Sequence, residues 1–131
     1  MLATHHLAQI ERRRGALHAA ATRYLASLRL CVQLDDVRMV GRCLAGLGAA
    51  SLALGDAEAA ARLLGAAMAR IESVPPFLAP CDSDDYATLV DAARASLSPA
   101  AYAAAWQQGR TLPLEELVAS AERLAARPAE E

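Results

Sequence analysis

Apolar residues recur at intervals of three and four along most of this chain, the period of an α-helix that buries one face. In residues 44–67, LAGLGAASLALGDAEAAARLLGAA, Leu44, Leu47, Ser51 and Leu54 fall on one stripe, and Ala57, Ala60, Leu64 and Ala67 on a facing one. Gly55-Asp56 is the turn signal between them, and Gly48, Ala60 and Ala67 are small where two helices must come close. Upstream, Leu7 and Ile10 define the inward side of a first helix over 2–14, which Gly15 breaks. Leu17, Ala20, Ala21, Tyr24, Leu28 and Cys31 pattern a longer helix to about residue 34. Asp35 or Asp36 caps a third, with Val37, Val40, Leu44 and Leu47 inward, and a fourth runs from Asp56 to about Ser73.

Val74-Pro75-Pro76-Phe77-Leu78-Ala79-Pro80 cannot be helical, because proline removes a donor and restricts the residue before it. Asp82-Ser83-Asp84-Asp85 restarts a helix striped by Tyr86, Leu89, Val90, Ala93 and Leu97. Ser98-Pro99 pairs an N-cap with proline at the first helical position. It opens a short helix carrying Tyr102, Ala105 and Trp106, which Gly109 is expected to end. A last helix has Glu115 and Glu116 in its first turn and Leu114, Leu117, Val118, Ala121 and Leu124 inward, and the tail from Arg127 is expected to fray. Tyr102 and Trp106 read as core anchors of these terminal helices.

Residues 7–27 laid over 47–67 match without a gap at an offset of 40: Leu7 on Leu47, Ala8 on Gly48, Gly15 on Gly55, Leu17 on Ala57, Ala20 on Ala60, Tyr24 on Leu64. Fixed-period self-similarity signals stacked hairpins, each burying one face on its partner and another on the next. Leu47-Gly48, Gly55, Ala60, Leu64 and Ala67 match the tetratricopeptide pattern, with a longer period than the usual unit. The expected fold is therefore all-α: an antiparallel helical-hairpin, tetratricopeptide-like right-handed solenoid of about seven helices. It divides into repeat one (1–34), repeat two (35–74) and C-terminal capping helices (82–127) of a single domain.

Composition fits an all-α class. The chain has 131 residues, 55 % of them apolar and only 4 % aromatic, with much alanine, the best helix former. A net charge of −2 gives no basic surplus for phosphate, so no direct nucleic-acid partner is expected. All 13 basic residues are arginine. Cys31, Cys43 and Cys81 have neither disulfide-framework nor zinc spacing, and Cys31 and Cys43, on neighbouring helices, read as small hydrophobes. No charged-then-apolar leader opens the chain and no apolar run nears the ~20 residues of a membrane span. A cytoplasmic protein without membrane contact is the expectation.

Candidate chemistry is sparse. His5 and His6 point about 100° apart on a helix and cannot easily share an ion. Asp82, Asp84 and Asp85 lack the glycine and distal glutamate of a calcium loop and read as helix capping. No elbow motif accompanies a Ser/His/Asp set. No catalytic, cofactor or metal site is expected. A surface remains. In tetratricopeptide geometry the first helix of each pair lines the concave face, here Leu2, His5, Gln9, Arg12 and Arg13 from one unit and Arg42, Ala45, Ala49 and Leu52 from the next. Arginines beside small apolar residues could receive a carboxylate or acidic peptide through forked hydrogen bonds. Arg12 and Arg13 equally suit the negative end of a helix dipole.

The stretch ARLLGAAMARIE (61–72), the Pro-rich loop, Tyr86 and AARASLSPAAYAAAWQQGRTLPLEELVASA (92–121) together resemble a known family. They look like the C-terminal end of the tetratricopeptide-like region in bacterial signal-transduction ATPases of the AfsR, SARP and LuxR types. The resemblance covers most of residues 44–124 and is carried by Tyr102, Trp106, Gly109 and Glu115-Glu116. Pro113 stands where that family often has a serine cap, and Tyr102 where phenylalanine is usual. It implies a non-enzymatic protein–protein interaction module, the C-terminal scaffold or sensor part of a transcriptional regulator. The phosphate-binding loop and DNA-reading helix of such regulators are not in this chain, so neither activity carries over. The alternative is a free-standing adaptor that homodimerises through its N-terminal helices, where the helix over 2–14 leaves an apolar flank open.

Overall fold

The computed structural model describes residues 7, 10–12, 14–73 and 83–126. It is all-helical, with no strand among the described residues. Six helices can be delimited: α1 (Leu17–Gln33), α2 (Val37–Ala53), α3 (Ala57–Glu72), α4 (Ser83–Ala95), α5 (Pro99–Thr111) and α6 (Leu114–Ala125). Residues 7 and 10–12 are helical as well. The Pro-rich stretch 74–80, Cys81, Asp82 and the tail from 127 lie outside the described residues, as do the side chains of residues 83–85.

The first three helix ends close in one way. At Gly15, Asp35 and Gly55 the chain turns into the left-handed region, with φ of 84°, 57° and 88°. Each time the next amide bonds back five residues (Ala16 to Glu11, Asp36 to Cys31, Asp56 to Ser51), and the turning residue's own amide bonds back three. This is the double-bonded C-cap that satisfies carbonyls a helix end would otherwise leave unpaired. The spacing is twenty residues each time, so the 40-residue sequence period is two helix-and-turn units. Asp36 and Asp56 then cap the following helices, accepting from the Met39 amide at 3.2 Å and the Ala59 amide at 3.1 Å. Of the two candidate caps Asp35 and Asp36, the second serves, because the first makes the turn.

With three-residue turns between them, α1, α2 and α3 run antiparallel, and α2 packs on both neighbours. Small residues set the spacing. A Cβ on Gly48 would stand 2.9 Å from Leu64 Cγ, and one on Gly46 would enter the Tyr24 ring. On the opposite flank of α3, α5 comes close enough that backbone meets backbone. Gly109 faces the Arg62 carbonyl and Gly65 faces the Trp106 carbonyl, each with no room for a side chain. Gly109 therefore does not end its helix. The helix continues to Thr111, and the glycine is a contact residue within it.

The chain then folds back, and α6 lies across α1. Leu117, Ala121 and Leu124 enter one core with Tyr24, Leu28, Leu44, Leu47 and Leu63. Each fully buried leucine there contributes roughly 1.5–3 kcal/mol. Arg29 of α1 pairs with Glu122 of α6, and Arg110 of α5 with Glu72 of α3 at 2.8 Å. On α4, Tyr86 donates its hydroxyl to the Leu64 carbonyl of α3.

Three inward assignments are corrected. Leu7 and Ile10 are 46 % and 47 % exposed, and Val37 is 38 % exposed, because nothing described covers their side of the molecule. Tyr102 and Trp106 are half-buried rather than core anchors. Their rings stack with centroids 5.7 Å apart, and the Arg94 guanidinium sits over Tyr102 at 5.2 Å.

Candidate functional site

The face proposed from sequence falls on the N-terminal helical residues and α2. Of its eight residues, His5, Gln9 and Arg13 lie outside the described residues. Arg42, Ala45, Ala49 and Leu52 follow one another at three- and four-residue steps and share a stripe of α2. Arg42, Ala45 and Leu52 are half-buried, whereas Ala49 is 4 % exposed and belongs to the packing, offering a partner no surface.

Tyr24 ties Arg12 to α2, the helix that carries Arg42. Its ring is fully buried against Gly46, one helical turn beyond Arg42 on α2. Its hydroxyl accepts a hydrogen bond from Arg12 Nε at 3.4 Å. Arg12 is thereby held at the edge of α1, on the side where α2 passes. Next to it, Glu11 is already paired with Arg23.

Arg42 is in a different position. Its Nε is buried and has no acceptor among the described residues, and its Nη1 donates to Met39 Sδ at 3.9 Å, a weak contact. Among those residues no carboxylate pairs with it, although Arg23, Arg29, Arg62, Arg94 and Arg110 each have one. A buried guanidinium N–H without an acceptor costs roughly 1–3 kcal/mol. A carboxylate approaching along the Arg42–Ala45–Leu52 stripe would remove that cost and add a charge-assisted bond.

Two cavities lie elsewhere. The first, about 370 Å³, opens between the end of α1, the start of α2 and the end of α3, with Cys31, Val32, Val40, Ala69, Arg70 and Leu114 among its walls. Burial lowers the Arg70 pKa from its ordinary value. The second, about 260 Å³, lies under α6 and is lined by Ser51, Asp56, Arg62, Ser120 and Arg123 with apolar neighbours. Its polar groups already have partners: Arg62 holds Glu58 at 2.8 Å, Arg123 donates to Ser120 Oγ at 3.1 Å, and Asp56 caps α3.

Sequence reasoning puts Cys31 and Cys43 on neighbouring helices, where they could approach each other, but misses Ser27. Ser27 and Cys31 of α1 and Cys43 of α2 form a buried polar cluster, with Cys43 Sγ 3.3 Å from Ser27 Oγ. Ser27 sits one turn before Cys31, so the i, i+4 spacing was readable, but the pairing with Cys43 needs the packed helices. Among the described residues no three His, Cys, Asp or Glu side chains converge as a metal site would require. No described helix is long and apolar enough to cross a membrane. No protein-family model matches the chain, and no curated protein or solved structure proved similar to it.

Proposed function

We propose that this chain is a tetratricopeptide-like interaction module that acts by binding a protein or peptide, without turnover. Its helical hairpins would stack as a right-handed solenoid, closed at one end by α4 to α6. Two regularities support that reading: the three left-handed turns at twenty-residue spacing, and the recurrence of buried positions. Five of the seven buried residues of α1 recur 40 residues later in α3, at Ala60, Ala61, Leu64, Gly65 and Ala67. The partner surface is the stripe of Arg42, Ala45 and Leu52 with Arg12 beside it, and the partner chemistry is an acidic segment with apolar side chains. The observation that carries this is the buried Arg42 Nε without an acceptor among the described residues.

Fluorescence anisotropy with a labelled peptide of glutamate and leucine tests it. A charge-assisted hydrogen bond is worth about 1.5–3 kcal/mol, so Arg42→Ala should weaken binding about 10- to 100-fold. Equal affinity for the wild type and the Arg12→Ala/Arg42→Ala double variant would overturn the assignment. The resemblance over residues 44–124 supports a place as the C-terminal scaffold or sensor part of a bacterial transcriptional regulator, working in the cytoplasm. An immunoblot of the source cells showing a native polypeptide of only 13.8 kDa would remove that placement.

A second reading is favoured by the exposure of Leu7 and Ile10. The flank they form would be covered by a second copy, giving a homodimeric adaptor. Sedimentation should then show a dimer that Ile10→Glu dissociates, and a monomer at high concentration would count against it.

A further inference from the structure

The 370 Å³ cavity lies apart from the Arg42 stripe and shares no residue with it. Val32, Val37, Val40, Ala69 and Leu114 give it apolar walls drawn from four helices. It is open to solvent, since Val37 is 38 % exposed and Val32, Ala69 and Leu114 are half-buried. Small-molecule sites between packed helices have this make-up: mostly apolar walls with a few polar or charged groups among them.

The cation of this cavity is Arg70. Its Cβ lies 3.5 Å from where a side chain on Gly41 would begin, so Arg70 leaves α3 on the side of α2. Its guanidinium has neither a hydrogen bond nor an ion pair among the described residues, whereas five other arginines hold a carboxylate. Burial lowers its pKa, and no neighbouring carboxylate opposes that shift. Asp35, at the α1–α2 turn, is exposed and makes no ion pair with it. The dipole of α3 accounts for an arginine in its last turn, but not for one set toward α2 and partly withdrawn from water. A cation so placed is unfavourable until an anion joins it.

We propose that this cavity binds a small carboxylic acid with an aliphatic chain, the carboxylate held by Arg70 and the chain laid against Val32, Val37, Val40 and Leu114. The guanidinium fork matches the two carboxylate oxygens, and such charge-assisted bonds are stronger than neutral ones. Each methylene buried against the apolar walls tightens binding about fourfold. The volume is at the lower end of the range for such sites, which suits a short chain rather than a long-chain lipid. The carboxylate and the apolar walls are both needed: Arg70 sets the charge of the ligand, and the valines set its class.

The test follows the valine methyl signals of the full chain by NMR during titration with octanoate. Octanol and octylammonium, which keep the chain and replace the charge, are titrated beside it. Octanoate should bind at one site, at least about tenfold tighter than octanol, which is the worth of one charge-assisted hydrogen bond. In the wild type, nuclear Overhauser contacts should join its methylenes to Val32, Val37 and Val40, a result that needs no substitution. Arg70→Gln should weaken octanoate about tenfold and leave octanol unchanged, circular dichroism reporting that the variant folds. Arg38→Gln, at an exposed position outside the cavity, should change neither. Octanol or octylammonium binding as tightly as octanoate would overturn the proposal, as would valine signals that do not move. So would octanoate affinity that survives Arg70→Gln but falls in Arg42→Ala, which would put the carboxylate on the α2 stripe instead.

Discussion

Replacing Gly109 by alanine separates two accounts of the same residue by sign. Inside a helix whose glycine touches nothing, alanine stabilises by about 1 kcal/mol through backbone entropy. Gly109 is buried inside α5, and a Cβ built there lies 2.8 Å from Arg62 Cα and closer still to the Arg62 carbonyl. Those are backbone atoms of α3, which cannot rotate away as a flexible side chain would. The helix must move outward, and moving it also opens the contact between Gly65 and the Trp106 backbone three residues earlier on α5. Overpacking of this kind costs at the upper end of ~1–3 kcal/mol. Subtracting the ~1 kcal/mol propensity gain leaves a net loss of about 2 kcal/mol. With an m-value of about 2 kcal/mol/M, the urea midpoint should fall by about 1 M without a change of slope. Gln108→Ala, on the exposed side of the same helix, is the control and should shift little. A Gly109→Ala protein as stable as the wild type or more so would show that α5 does not approach α3 in this way.

Two further outcomes follow from single residues. Asp35 makes its turn at φ 57°, where a Cβ is strained and glycine is not, so Asp35→Gly should raise stability by about 1 kcal/mol in a urea titration. Tyr86→Phe removes the hydroxyl bond to the Leu64 carbonyl and should cost about 1 kcal/mol. Because burial raises the Tyr86 pKa above its usual 10, the unfolded chain loses that proton first. That contribution is complete below pH 10 and declines as pH rises further, so alkaline destabilisation followed by fluorescence should be shallower in Tyr86→Phe.

Which features could be read from sequence follows from how local their causes are. Gly15 and Gly55 announce turns because a positive φ is a local demand that glycine meets, and both turn with nearly the same angle. Asp35 makes the identical turn, yet its residue type predicts only a cap, since aspartate reads as capping before it reads as left-handed backbone. Gly109 inverts the error. A glycine in a helical pattern suggests a terminus, and only the backbone of Arg62, far away in the chain, explains this one. Leu7, Ile10 and Val37 sit on correct helical stripes, but periodicity identifies an apolar side without saying whether anything lies against it.

The candidate surface was legible to the same partial extent. Arg42, Ala45 and Leu52 share a stripe because 3.6-residue geometry requires it, and that much follows from spacing alone. Burial does not, and Ala49 is lost from the face because the packing around α2 closes over one small side chain and leaves its neighbours partly open. The chemistry of Arg42 likewise depends on what its neighbours already hold. Glu11, Glu58, Glu72, Asp91 and Glu122 are each engaged by another arginine, so the charge left over on α2 is set by the assignment of partners across six helical segments. A net charge of −2 conceals this, because a surplus of carboxylates in the whole chain is compatible with a local shortage beside one guanidinium. Binding of an acidic segment is thus a matter of where pairs form, and the decisive comparison is Arg42→Ala against Arg29→Ala. The second removes an arginine already paired on the surface, and should leave peptide affinity unchanged while the first lowers it.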